Sequence, residues 1–210
     1  MAKFLDVFVE HGKQFAELST KDAQWVIRNP KGAIALCVEV IAKRLGLLSL
    51  SGTVEVSATD KFVASDKFVE DTSAKAEVKI IYLGSNFQEW FLCKVEEPAS
   101  ESELRYYSLQ DKPSVDDVPI IVTLGGEKKA ETTLAQLFSL MEKQGHGETG
   151  PLLTSGYVSM NIFYILDVHK TLRSVFVEWY GGGWNINAYS AKRPGRWYAG
   201  SRVFSRNFDL

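Results

Sequence analysis

The segment that decides the fold is VSMNIFYILDVHKTLRSVFVEWYGGGWNINAYS, residues 158–190. From 158 to 166 an apolar or aromatic side chain stands at every second position, a spacing that predicts a β-strand. A polar turn follows, and residues 172–179 return as a second strand. Three consecutive glycines then permit positive backbone angles, which predict another reversal before a strand at 184–189. Short turns between strands predict an antiparallel meander, which residues 197–206 complete.

The first 46 residues show helical spacing instead, because their apolar side chains recur every three or four positions. One helix is predicted before residue 19. A second begins at the capping residues Ser19 to Asp22 and ends near Asn29. A third begins at Pro30, which suits the first turn of a helix, and stops at Gly46.

The middle of the chain predicts several strands and one inserted helix. Thr133 and Gln136 form a capping box ahead of apolar residues at helical spacing, so a helix is predicted near 133–144. The motif Asp-Lys-Phe-Val occurs at 60–63 and again at 66–69, which suggests two short extended segments or one hairpin. Alternation or apolar runs predict the remaining strands, at 53–57, 78–82, 87–95, 104–109 and 118–124.

Together these patterns predict an α+β fold, in which N-terminal helices pack on a mostly antiparallel sheet with one inserted helix and a C-terminal strand meander. We expect a single domain, 1–210, with a helical N-terminal segment, 1–46, and a sheet-rich body, 50–210. Hydrophobic residues make up 45% of the chain and charged residues 24%, as in ordinary globular proteins. No apolar run reaches the about 18 to 20 residues of a membrane span. Cys37 and Cys93 stand among apolar residues and are expected to be buried thiols, which favours a cytoplasmic protein.

Three segments resemble small uncharacterised bacterial proteins from reduced-genome lineages. They are FVASDKFV at 62–69, YLGSNFQEWFL at 82–92 and RVFSRN at 202–207. The resemblance runs through most of the chain from about residue 50. It implies a shared fold and a bacterial origin, and it implies no function.

The charge distribution is uneven. The chain has a net charge of −2, but residues 170–210 carry seven basic and two acidic side chains, a balance of +5 that leaves −7 on the other 169 residues. Aromatic side chains are interleaved with arginines in this basic segment. Strand alternation places Tyr198, Arg202, Phe204 and Arg206 on one face of the last strand. The predicted binding residues are Tyr189, Arg193, Arg196, Tyr198, Arg202 and Arg206.

Catalytic and metal-binding patterns are weak. His11, His146 and His169 are isolated from one another and from both cysteines, so no metal site, cofactor or catalytic residue is predicted. The glycine-rich loop 144–150 around His146 is the most enzyme-like patch, and a mobile connector is the plainer interpretation. Asp116 or Asp117, followed by Glu127-Lys128-Lys129, imitates the acid and lysine spacing of metal-dependent nucleases.

The sequence therefore predicts a non-enzymatic binding or interaction protein that uses the basic, aromatic C-terminal face. An acidic protein or peptide surface suits that face, because arginine and tyrosine are favoured at interface centres. A nucleic-acid-binding module is an alternative, since aromatic rings stack on bases and arginines bind phosphates. A hydrolase or a metal-dependent nuclease-like enzyme is the competing class. Aromatic packing across strands and solvated arginines would also explain the pattern without any ligand.

Overall fold

The structure is a computed structural model, and it describes residues 19–33, 37, 46–110, 115–156, 160–191 and 197–206. The chain divides into two compact units, Met1–Ile41 and Ala42–Leu210. In the first unit, helix α1 spans Thr20–Arg28. Its N-cap Ser19 accepts a hydrogen bond from the backbone N–H of Asp22, as the capping residues predict. The helix predicted before residue 19 lies outside the described residues.

The second unit contains ten strands and five short helices within its described residues. The strands are β1 Leu48–Val56, β2 Phe62–Val63, β3 Ile80–Leu83, β4 Val95–Glu96, β5 Ser102–Leu109, β6 Glu131–Thr132, β7 Asn161–Leu166, β8 Leu172–Tyr180, β9 Gly183–Ser190 and β10 Arg202–Arg206. The helices are α2 Ala64–Lys67, α3 Ser85–Phe91, α4 Asp117–Thr123, α5 Glu127–Ala130 and α6 Leu134–Glu142.

Eight of these strands form one large sheet in the order β1-β5-β10-β7-β8-β9-β3, with β6 beside β7. The pairs β1–β5, β5–β10, β7–β8 and β8–β9 are antiparallel, whereas β7 is parallel to β10 and β6, and β9 is parallel to β3. The prediction of a mostly antiparallel sheet is confirmed, and so is the β7-β8-β9 meander.

Apolar clusters cover both faces of the sheet. On one face, Phe163, Val177 and Phe204 pack with the apolar side of α6, whose Thr133–Gln136 capping box is present as predicted. On the other face, Tyr164 and Val203 pack with residues of α4 and with other buried side chains. The central strands are therefore shielded on both sides, and the first five residues of β7 are buried.

The position of β10 corrects the predicted meander. This strand does not follow β9 in the sheet but lies between β5 and β7. Its three middle residues, Val203, Phe204 and Ser205, are all buried, because a central strand between two apolar clusters has no solvent-facing side. The predicted exposure of Phe204 on an outer face is therefore wrong.

Two predicted strands are helices. Residues 87–95 form most of α3 and the turn after it, in which Phe87 and Phe91 are buried at a spacing of four residues. Residues 118–124 form α4, where Pro119 occupies the first turn that tolerates it, and Gly125 and Gly126 end the helix with positive φ angles. Tertiary packing outweighs the aromatic composition of the first segment and the β-branched composition of the second.

Two smaller predictions are also wrong. The second copy of Asp-Lys-Phe-Val begins inside α2, and Phe68 then packs edge-on against Phe87, so the copies form neither two strands nor a hairpin. Cys93 is exposed rather than buried, because Phe91 occupies the core position at the end of α3. Cys37 is half-buried.

Candidate functional site

The structure divides the predicted binding residues between different surroundings. Tyr198 is 48% exposed and Tyr189 is 37% exposed. The Tyr189 ring packs against Phe176 and Trp197 on the face that carries α4. Arg202 and Arg206 share the opposite face of β10 with Phe204, since side chains alternate along a strand. Arg193 and Arg196 lie outside the described residues.

Both described arginines of β10 have partners within the fold. The Nη1 atom of Arg202 donates to the carbonyl oxygens of Gly150 and Pro151, and its guanidinium lies 5.1 Å from the centre of the Tyr106 ring. Arg206 forms an ion pair with Glu131 at 2.9 Å. These contacts join β10 to neighbouring segments, so the two side chains contribute to the fold.

Asp117, an acidic residue of the nuclease-like pattern, lies inside the fold and not in an open site. Asp117 is buried, and it accepts hydrogen bonds from the Trp197 indole at 2.7 Å, the Tyr164 hydroxyl at 3.0 Å and the Ser174 hydroxyl at 3.4 Å. Burial raises the pKa of this carboxyl group to about 6 in spite of the three donors. Within the described ranges, no group of three or more His, Cys, Asp or Glu side chains is close enough to hold a metal ion.

The glycine-rich loop around His146 is held by the fold. The Nε2 atom of His146 lies 2.8 Å from the carbonyl oxygen of Ala76. Gln144 is buried, and its amide group donates to the carbonyl oxygens of Glu148 and Leu152 and accepts from the Leu152 N–H at 2.8 Å. These bonds close the loop on itself, which satisfies its buried polar groups.

An open cleft of about 850 Å³ lies at the end of the sheet where β7 and β10 begin and β8 ends. The side chains with ring systems in its wall are Trp179, Tyr180 and Tyr198. The other residues that line it are Thr154, Ser155, Gly156, Met160, Glu178, Gly181 and Gly182. We call this the aromatic cleft. Tyr198 is the only predicted binding residue that lines it within the described part of the chain.

The β8–β9 hairpin builds one wall of the aromatic cleft. Tyr180 pairs with Gly183, so the loop has two residues, and both Gly181 and Gly182 have positive φ angles, 65° and 83°. A type I′ turn requires positive φ at both of these positions, and glycine adopts it without a steric penalty. The turn leaves the Tyr180 side chain 72% exposed at the mouth of the cleft.

The Trp179 ring packs against other residues of the fold. Its ring packs edge-on against the buried Trp184 at 5.4 Å between ring centres, and the Trp184 indole donates to the carbonyl oxygen of Gln144. Gly147 lies directly against Trp179, because a Cβ atom on this glycine would come within 2.3 Å of the indole atom Cε2. The indole is therefore fixed in position before any ligand arrives.

Tyr198 is anchored through its neighbour Trp197. The backbone of Trp197 exchanges two hydrogen bonds of 3.0 Å with Val115, and its indole donates to the buried Asp117. On the cleft's floor, the carbonyl oxygen of Met160 accepts a bond from the N–H of Arg202. Contacts far apart in sequence therefore set the position of Tyr198.

Glu178 supplies the charge of the aromatic cleft. It is half-buried, and it is the only charged side chain among the described residues that line the cleft. Its carboxylate makes no hydrogen bond or ion pair with any part of the chain that the structure describes. Among the described residues, the cleft thus combines three aromatic side chains, the hydroxyl groups of Thr154 and Ser155, and one carboxylate.

The predicted binding residues include Tyr198 but neither Glu178 nor its neighbours Trp179 and Tyr180. The available signal was the position of Glu178, one residue before two aromatic residues and a triple glycine that predicts a tight hairpin. The loop 154–156 is adjacent only through the pairing of β7 with β8, so no local pattern could have indicated it.

A second cleft, of about 560 Å³, lies between α6 and residues 57–62. It contains three lysines, but Lys67 pairs with Glu142 at 3.4 Å and Lys143 donates to the carbonyl oxygen of Glu55. Two of its three positive charges are therefore engaged by the protein itself, and the aromatic cleft is the stronger candidate.

Comparison with known proteins gives no match: no family model, no curated protein and no solved structure is similar to this chain. None of the helices in the described ranges has the length and apolar content that a membrane span requires. Functional inference therefore depends on the geometry of the cleft alone.

Proposed function

We propose that this protein is a non-enzymatic binding protein that holds its ligand in the aromatic cleft. The observation that carries the proposal is the convergence of Trp179, Tyr180 and Tyr198 on one open space, with Tyr180 72% and Tyr198 48% exposed. Large aromatic side chains exposed together mark binding surfaces, because each ring can bury a large apolar area on a ligand at low entropic cost.

The rigidity of the cleft supports the same proposal. Trp179 packs against Trp184 and Gly147, and the bonds of Trp197 hold the backbone next to Tyr198. A preformed site pays less ordering entropy when it binds, which increases affinity. The volume of about 850 Å³ also falls within the roughly 300 to 1,000 Å³ of ordinary small-molecule sites.

The predicted basic face stays a separate prediction. Two of its members, Arg193 and Arg196, lie outside the described residues. An acidic protein or peptide remains the partner that we expect for this face. In the aromatic cleft, by contrast, the one described charge is negative.

Fluorine NMR of protein labelled with 5-fluorotryptophan tests the proposal. The chain has five tryptophans, and the Trp179 resonance is assigned with a Trp179→Phe variant. A library of small soluble fragments is screened for compounds that shift this resonance in a saturable way. We expect Tyr198→Ala to weaken the hits by at least about fivefold, since an aromatic platform is worth roughly 1 to 3 kcal/mol per stacked group.

Tyr82→Ala is the matched control, because Tyr82 is 49% exposed but does not line the aromatic cleft. This variant should bind the hits as the unaltered protein does. A screen in which no fragment shifts the Trp179 resonance, or in which both tyrosine variants behave alike, would contradict the proposal.

A further inference from the structure

We draw no further inference here: the strongest candidate, the outer edge of strand β1, which within the described ranges pairs only with β5, carries no proposal because nothing in the structure shows what covers it.

Discussion

Replacing the buried Asp117 with asparagine should change how the stability of this protein depends on pH. The carboxyl group has a pKa of about 6 in the folded chain, against an ordinary value of 3.8, because burial disfavours the charged form. Between these two values the folded chain retains a proton that the unfolded chain has released. The stabilisation from this group is therefore fully present below pH 3.8 and is lost as the pH rises through 6.

The size of the effect follows from the same two pKa values. Each pKa unit corresponds to about 1.36 kcal/mol, so the whole shift is worth about 3 kcal/mol, of which about 2 kcal/mol is lost from the free energy of unfolding between pH 4 and pH 7. Asparagine has nearly the same shape and does not titrate. Its side-chain oxygen can accept the bonds from Trp197 and Tyr164, and its amide can donate to Ser174.

We therefore expect the stability of Asp117→Asn, relative to the unaltered protein, to rise by about 2 kcal/mol from pH 4 to pH 7. Urea unfolding followed by tryptophan fluorescence at pH 4, 5, 6 and 7 measures this difference. The lowered pKa values of Asp71, Glu148 and Asp167 act in the opposite direction, but they are common to both proteins and cancel.

Asp60→Asn, at an exposed position, is the control and should show no such trend. A stability difference that stays constant with pH would refute the reasoning, and so would one that falls as the pH rises. A constant difference would mean that the three hydrogen-bond donors balance the cost of burying the Asp117 carboxylate, and a falling one that they outweigh it.

Two further substitutions test the supports of the fold and of the aromatic cleft. Gly147→Ala should displace Trp179 and weaken the binding of cleft ligands. Gly126→Ala is the control and should not weaken it, because Gly126 has a similarly positive φ angle but no atom lies within 4 Å of the new Cβ atom. Titration of both labelled variants with the cleft ligands distinguishes them. Glu96→Ala should destabilise the protein by about 2 to 3 kcal/mol in urea unfolding, because the Glu96 carboxylate accepts hydrogen bonds from two backbone N–H groups at the start of α6. Glu97→Ala, at an exposed position, should lower the free energy of unfolding by less than about 0.5 kcal/mol.

Local sequence signals predicted the elements whose geometry is local. The capping box of α6 and the hairpins between β7, β8 and β9 depend on residues within a few positions of each other, and they form as predicted. The predictions from sequence were wrong where tertiary packing determines the secondary structure. Helix α3 contains three aromatic residues and α4 contains five β-branched residues, types that are favoured in strands, yet each segment forms a helix that places two apolar residues in a core.

The candidate site could be predicted from the sequence even less well than the fold, because its residues come together only in the folded chain. The aromatic residues interleaved with arginines in residues 170–210 predicted a binding surface, and Tyr198 was among the predicted binding residues. The alternation that was expected to expose β10 failed, because β10 is inserted between β5 and β7 and both its faces are covered. Strand order is a nonlocal property, and it determines that Tyr198 lies in a cleft while Arg202 and Arg206 bind to the protein itself.

The two walls of the aromatic cleft are each supported by a buried polar group. Gln144 closes its own loop and accepts the Trp184 indole at its carbonyl oxygen, and Trp184 in turn supports Trp179. Asp117 accepts the Trp197 indole, next to Tyr198 in the chain. Burying polar groups stabilises a fold less than apolar packing does, but their directional bonds specify one arrangement. Both supports hold an indole through its single N–H, so each fixes the orientation of a buried ring, Trp184 or Trp197, and not only its depth. Trp179 packs on the first of these rings and Tyr198 follows the second in the chain, so contacts behind the cleft hold both of its walls.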